Sequence, residues 1–221
     1  MVRLVNISKS FTQRGIVLDN LNLDVSKGES LAISGPSGSG KTTLMNIIGA
    51  LDRPDSGDVF FNGSSLSNLT SDEIARYRNK NIGFVFQDHL LLNHLTIKEN
   101  IMLPLFAEKI ADSEYSEKEK YAAQMMDRVG ITGLSEKYPF QISGGEAQRT
   151  TLVRALICKP SIILADEPTG SLDTRNAETL GRLLVELNKE EGLTLIVATH
   201  SSELASRMGM HLKLEEGKLR S

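Results

Sequence analysis

The chain has 221 residues, with 25 Lys and Arg against 28 Asp and Glu, a formal charge of −3 at pH 7. That balance argues against broad nonspecific binding to nucleic acid, which needs a net basic face. Aromatics make up 5% and tryptophan is absent, which argues against stacking platforms for single strands. The one cysteine, Cys158, excludes an internal disulfide framework and a cysteine-rich zinc site. No apolar run approaches the roughly 18 residues of a membrane span, and the opening MVRLVNISKSF lacks the continuous apolar core of a signal peptide. The expectation is a reduced, intracellular, soluble chain that reaches a membrane only through a partner.

In chain order, Leu21, Leu23 and Val25 alternate with Asn22 and Asp24, the pattern of a half-buried strand. Ser26-Lys27-Gly28 is a turn signal, and Ser30 to Ser34 is a short apolar run ending at Gly35. Leu44, Ile47, Ile48 and Leu51 then recur at helical spacing, predicting a helix from Lys41 to Leu51. Gly57 to Asn62 and Ile82 to Phe86 read as strands, separated by a short polar helix from Ser71 to Arg78 capped by Ser71 or Asp72. Residues from about 88 to 157 are mostly helical in pattern, with Ala111 to Lys120 expected as a solvated loop and helix start. Ile162 to Leu164 and Leu193 to Val197 are runs typical of buried parallel strands. Between them, a helix over residues 177–191 puts Leu180, Leu183, Leu184 and Leu187 on one face. Met210 to Glu215 alternates and is expected at a sheet edge. The whole, residues 1–221, reads as one α/β domain with a helical insertion.

Gly35-Pro36-Ser37-Gly38-Ser39-Gly40-Lys41-Thr42, with Thr43 next, fits G-x-x-x-x-G-K-[ST] between a strand and a helix. Glycines let the backbone curl so that successive N–H groups face phosphate oxygens. The helix N-terminus adds partial positive charge. Lys41 would reach the terminal phosphates and Thr42 would offer a hydroxyl to Mg²⁺. Residues 161–167 form an apolar strand ending in Asp166 and Glu167. At the carboxyl edge of a parallel sheet, Asp166 would hold the cation and Glu167 would polarise an attacking water. In Gln141-Ile142-Ser143-Gly144-Gly145-Glu146-Ala147-Gln148-Arg149, the serine and glycines precede a helix over about 146–157. They read either as a second anion site or as a serine cap on a glycine turn.

This last segment resembles the signature motif of the ATP-binding cassette (ABC) ATPases, whose usual form is Leu-Ser-Gly-Gly-Gln. Here Ile142 replaces the leucine and Glu146 the glutamine. The resemblance covers essentially residues 1–215 and implies a P-loop NTPase fold. In that fold a mixed-sheet core with an N-terminal antiparallel β part (1–87 and 158–221) carries a helical subdomain (about 88–157). It also implies roles for other residues. Phe11 stands where an aromatic, usually tyrosine, stacks on adenine. Gln87, closing the strand IGFVF, would be a catalytic and Mg²⁺-binding glutamine facing a membrane partner. Ser171-Leu172-Asp173 would communicate across a dimer. His200 would contact the γ-phosphate. Ser143, Gly144, Gly145 and Glu146 of one subunit would cover the ATP held by the other, which implies an ATP-sandwiched homodimer with two equivalent sites and an integral membrane permease as partner.

Three stretches, Ser71 to Gln87, His89 to Leu105 and Leu164 to Asp173, are similar to the lipoprotein-releasing and macrolide-exporter ATPases. Those transmit force to a membrane subunit from the cytoplasmic face. A cell-division ATPase that regulates an extracytoplasmic enzyme is close to the same pattern. A soluble nucleic-acid-linked cassette would need long coiled-coil insertions or a second cassette, and a P-loop kinase would lack the signature. Leu90, Leu91, Leu92 and Leu95 read either as a groove for a partner's coupling helix or as core packing. Cys158 reads as a small buried apolar residue; His89, His94 and His211 read as surface or packing residues. The transported substrate is not encoded in any of these features.

Overall fold

The computed structural model describes residues 1–107 and 110–220. The chain opens with two long strands, β1 (Val2–Phe11) and β2 (Gly15–Val25), then β3 (Ser30–Ser34) and helix α1 (Lys41–Ile48). Next come β4 (Ser56–Phe61), β5 (Ser64–Ser65), α2 (Ser71–Asn81) and β6 (Ile82–Phe86). A helical stretch follows, with α3 (Ile97–Met102), α4 (Asp112–Arg128) and α5 (Gly144–Leu156) joined through short 3-10 turns. The chain closes with β7 (Ile162–Asp166), α6 (Thr174–Glu191), β8 (Thr194–Ala198), α7 (Ser202–Ser206), β9 (Met210–Glu215) and β10 (Lys218–Arg220).

Two sheets form. One is antiparallel, in the order β2-β1-β4-β5. The other has six strands in the order β10-β9-β3-β8-β7-β6 and is parallel except for the β9–β10 hairpin. Side chains alternate across a strand, and the two faces of the larger sheet feed two cores. Ile162, Leu164, Ile196 and Ala198 pack with Leu44, Ile47 and Ile48 of α1 and with Leu4, Ile7 and Leu18 of the antiparallel sheet. Their neighbours Ile163, Ala165, Leu195 and Val197 turn the other way, onto Ile101, Met125, Leu152, Val153, Leu180 and Leu184 of the helices. Both faces of β7 and β8 are therefore covered, which is why these strands are apolar throughout rather than alternating.

The parallel register sets the functional edge. Phe86 pairs with Asp166, Asp166 with Ala198, and Ala198 with Ile33. Gly35, Gln87, Glu167 and Thr199 thus all leave the sheet side by side at its carboxyl edge.

Five local expectations are corrected. Helix α1 stops at Ile48, because Gly49 caps it and Ala50 turns to φ 53°, so Leu51 lies outside and is 48% exposed. The cap of α2 is Thr70, one residue earlier than read, in a reciprocal box with Glu73. Residues 112–120 are already helix, so the stretch from Ala111 is no loop. The signature helix begins at Gly144 rather than Glu146. Strand β9 is not an edge, because the three residues of β10 pair along it.

Candidate nucleotide site

The loop between β3 and α1 is built around its glycines. Gly35 has φ 154°, and a Cβ there would stand 2.4 Å from the Leu214 carbonyl oxygen and 2.8 Å from Ser39 Oγ. Gly40, at φ 103°, would meet Val17 at 2.8 Å. Any side chain at either position would push the loop off the sheet. Helix α1 has no side-chain cap and no acid in its first turn, unlike α2, α3 and α5, which all carry capping boxes. Its leading N–H groups, from Lys41, Thr42 and Thr43, have no side-chain acceptor of their own. That is the arrangement of an anion site.

Lys41 is buried, 6% exposed. Its Nζ donates to the Gly35 and Pro36 carbonyls at 2.9 and 3.3 Å and lies 3.1 Å from His200 Nε2 and 3.8 Å from Glu167 Oε1. Glu167 is held from both sides. Its own N–H donates to Ala198 O at 2.8 Å, and its Oε2 accepts from the His200 N–H at 3.1 Å. Its φ is 47°, a conformation that costs a non-glycine residue on the order of 1 kcal/mol and that clusters at functional sites.

Two buried oxygens at this edge, Ser39 Oγ and Asp166 Oδ1, have no partner, whereas Glu167 Oε1, also without a hydrogen bond, lies 3.2 Å from His200 Nε2 and 3.8 Å from Lys41 Nζ. Each such atom costs about 1–3 kcal/mol if left alone. Ser39 Oγ and Asp166 Oδ1 thus keep an unused capacity for a ligand. A hard cation fits this donor set, with the Asp166 carboxylate, the Thr42 hydroxyl and the Gln87 amide oxygen as the side-chain ligands on offer. Among the described residues no group of three or more His, Cys, Asp or Glu could hold a metal. Phosphate oxygens and water would therefore supply the rest of the coordination. Gln87 leaves β6 beside this cluster and rests against Gly170, where a Cβ would come within 3.3 Å of its amide. Phe11, at the end of β1, is 40% exposed, with Lys9 Nζ 5.5 Å from its ring centroid.

The signature segment forms a second cluster. Ser143 caps α5, accepting from the Glu146 N–H at 3.4 Å. The Ser143 N–H and Oγ both donate to Glu146 Oε2 at 2.7 Å. These donors hold the Glu146 carboxyl below the usual range. Asp173 caps α6, accepting from the Asn176 N–H at 3.0 Å, which holds its carboxyl low as well. Asn176 was missed by sequence reasoning. It packs so closely on Gly145 that a Cβ there would stand 2.7 Å from its Cγ, and it accepts from Arg149 Nη1 at 3.2 Å. The residue types were a clue, since an Asp followed three residues later by an amide is a helix-cap signal.

The structure thus brings Gly35–Thr43, Gln87, Asp166, Glu167 and His200 to one edge, and Ser143–Glu146 with Asp173 to another. Among the described residues no hydrogen bond or ion pair joins the signature residues to the phosphate loop.

The pattern that defines ABC transporters matches residues 18–170 of the chain. This chain belongs to the ABC transporter family. It is similar to a lipoprotein-releasing system ATP-binding protein, LolD 1, of Rhodopirellula baltica, at 44% identity over 99% of this chain and 96% of that protein. It is also similar to LolD of Bacteroides thetaiotaomicron, at 42% over 100% and 99%. Among solved structures, the dimeric ABC transporter cassette MJ0796 superposes with a TM-score of 0.90 at 37% identity, covering 100% of this chain and 97% of that one. A dimeric post-hydrolysis state of the same cassette, bound to ADP and Pi, superposes with a TM-score of 0.87 over the same shares. The expected fold is therefore present, and this ABC cassette is an ATP-binding, ATP-hydrolysing subunit.

Proposed function

We propose that this ABC ATPase binds Mg²⁺-ATP between two copies of itself and drives a membrane subunit in lipoprotein release. The observation that carries the reading is the separation of its two clusters. The phosphate-loop edge holds two orphaned oxygens and an uncapped helix, while the signature serine sits elsewhere in the chain. A second copy, related by a two-fold axis, would bring Ser143, Gly144, Gly145 and Glu146 over the nucleotide of its partner, with Asp173 near the contact. The dimeric state of the MJ0796 cassette supports this arrangement, and the LolD relatives support the cargo class.

In this reading the loop amides of 35–43 and Lys41 neutralise the phosphates, and Phe11 stacks on the base. Thr42, Asp166 and Gln87 would hold the cation, which would supply positive charge against the phosphates. Glu167 takes the proton of a water whose oxygen attacks the γ-phosphorus in line as the bond to the β-phosphate oxygen breaks. His200 and the partner's signature donors stabilise the charge that develops. Hydrolysis removes the contacts that bridge the two copies and reopens the dimer.

In this reading the membrane link is a partner subunit; no helix among the described residues is long and apolar enough to cross a membrane. A groove of about 480 Å³ lies between β6 and the helical stretch, lined by Leu51, Phe84, Phe86, Leu103, Pro104 and Cys158. Exposed Leu90 and Leu92 sit on the loop after β6, whereas Leu91 packs into the core. Core packing thus describes Leu91, while none of the four leucines of that run lines this groove. The groove suits an apolar coupling helix. It would divide a β-rich core (1–87, 158–221) from a helical subdomain (about 88–157) and dock the cassette on the cytoplasmic face of the cell membrane. Capture of a Glu167→Gln variant from mildly solubilised native membranes tests this. A co-purifying integral membrane subunit with a large outer domain supports it; recovery of soluble partners alone overturns it.

A further inference from the structure

The loop after β6 is tied to α5 by two polar side chains that the reading above does not use. Gln148, on α5, is 0% exposed. Its Nε2 donates to the Phe86 carbonyl at 2.9 Å. A carbonyl can only accept, so the amide nitrogen must face Phe86 and Oε1 is left for His89, whose Nδ1 therefore carries the hydrogen. Arg154, six residues further along α5, donates from Nη1 to the Leu90 carbonyl at 2.7 Å and from Nη2 to the His89 carbonyl at 2.9 Å. The imidazole also reaches the start of the helix, since a Cβ on Gly144 would stand 4.0 Å from His89 Nε2. Residues 86, 89 and 90 are thus bonded to the helix that opens at the signature, and Gln87 lies inside the bonded segment.

Two anchors six residues apart on one helix are about 9 Å apart. One anchor would let the loop pivot; two fix its rotation as well as its position. A buried amide satisfied at both ends and a guanidinium satisfied by two loop carbonyls leave the loop little freedom to shift alone. We propose that Gln148 and Arg154 are positioning residues that lock the Gln87 loop to the Ser143 helix, so that the two travel as one piece. This rests on the reading in which Gln87 serves the nucleotide site. Its consequence is that a push on the loop from outside is delivered to the signature of the same chain without slack.

The test is steady-state ATP hydrolysis by the full chain in Gln148→Met, His89→Ala, Gln87→Ala and the double variant Gln87→Ala/Gln148→Met, with thermal midpoints recorded for each. Gln148→Met keeps the volume and removes both amide bonds. It is expected to lower kcat about tenfold with KM for ATP within about twofold. His89→Ala breaks one bond outside the core, folds even if the Met variant does not, and lowers kcat by a smaller factor. The double variant should be no slower than Gln87→Ala alone, because Gln148 acts through Gln87. Multiplying losses in the double variant, or losses that only track the thermal midpoint, overturn the proposal. Wild-type kcat in Gln87→Ala would strike the underlying reading first, and the proposal with it.

Discussion

The two anion-binding ends of this chain are finished in opposite ways. At the phosphate loop, α1 has no side-chain cap, and Ser39 Oγ and Asp166 Oδ1 are buried without partners. At the signature, Ser143 gives both its N–H and its hydroxyl to Glu146, so both Ser143 donors are occupied by the chain itself. The first end stores unmet polar groups for a ligand. The second is closed by its own carboxylate, and in the sandwich those same Ser143 donors would have to turn to a phosphate. One end is thus set for binding by a single chain, and the other becomes a site only when the partner's nucleotide competes with Glu146.

Substitutions can break this contrast at its stronger end. Lys41→Ala removes the buried ammonium beside Glu167 and should weaken ATP binding by about 3 kcal/mol, on the order of a hundredfold, read by nucleotide fluorescence or calorimetry. An affinity within a factor of a few of wild type would mean that the orphaned oxygens are not arranged for a triphosphate.

The signature end predicts a gain. Glu146→Gln keeps an oxygen to accept from Ser143 but removes the charge. The ATP-dependent dimer should tighten by about 1 kcal/mol, roughly fivefold, in a concentration series. Unchanged or weaker dimerisation would remove Glu146 as a competitor. The acid limb has a definite sign. Because the folded Glu146 carboxyl sits below its ordinary 4.5, its capping contribution is complete above that pH and is lost as pH falls through the lowered folded value.

The smallest effect is a control. Tyr77 also has a buried hydroxyl with no partner, and burial pushes its ionisation up, yet it lies against Phe61 away from the nucleotide edge. Tyr77→Phe should stabilise the fold by up to about 1 kcal/mol in denaturant and leave ATP hydrolysis unchanged. Ser39 is orphaned for a ligand and Tyr77 is not, so a loss of activity in Tyr77→Phe would erase that distinction.

Much of this was legible in sequence because it is local. The phosphate loop, the strand ending at Asp166 and the apolar face of α6 are all set by residues within a few positions of one another. The misplaced boundaries had local causes too. Thr70 with Glu73 forms a box that Ser71 and Asp72 obscured, and Gly49 with left-handed Ala50 ended a helix that the spacing of Leu51 seemed to continue. Strand β10 has three residues, too few to show a period. What no local pattern could reveal were bonds between distant residues. Gln148 to Phe86, Arg154 to His89 and Leu90, and Asn176 against Gly145 exist only once the helices are packed. His89 read as a surface or packing residue for the same reason.

The central claim is that the two ends complete one site only across two copies. Sedimentation of Glu167→Gln with ATP and Mg²⁺, beside the same variant carrying Ser143→Arg, tests it most directly. The account predicts that Glu167→Gln doubles in mass only when ATP is present and that adding Ser143→Arg keeps it monomeric. A Glu167→Gln chain that stays monomeric at high concentration with ATP, or a dimer indifferent to both ATP and Ser143→Arg, would contradict it.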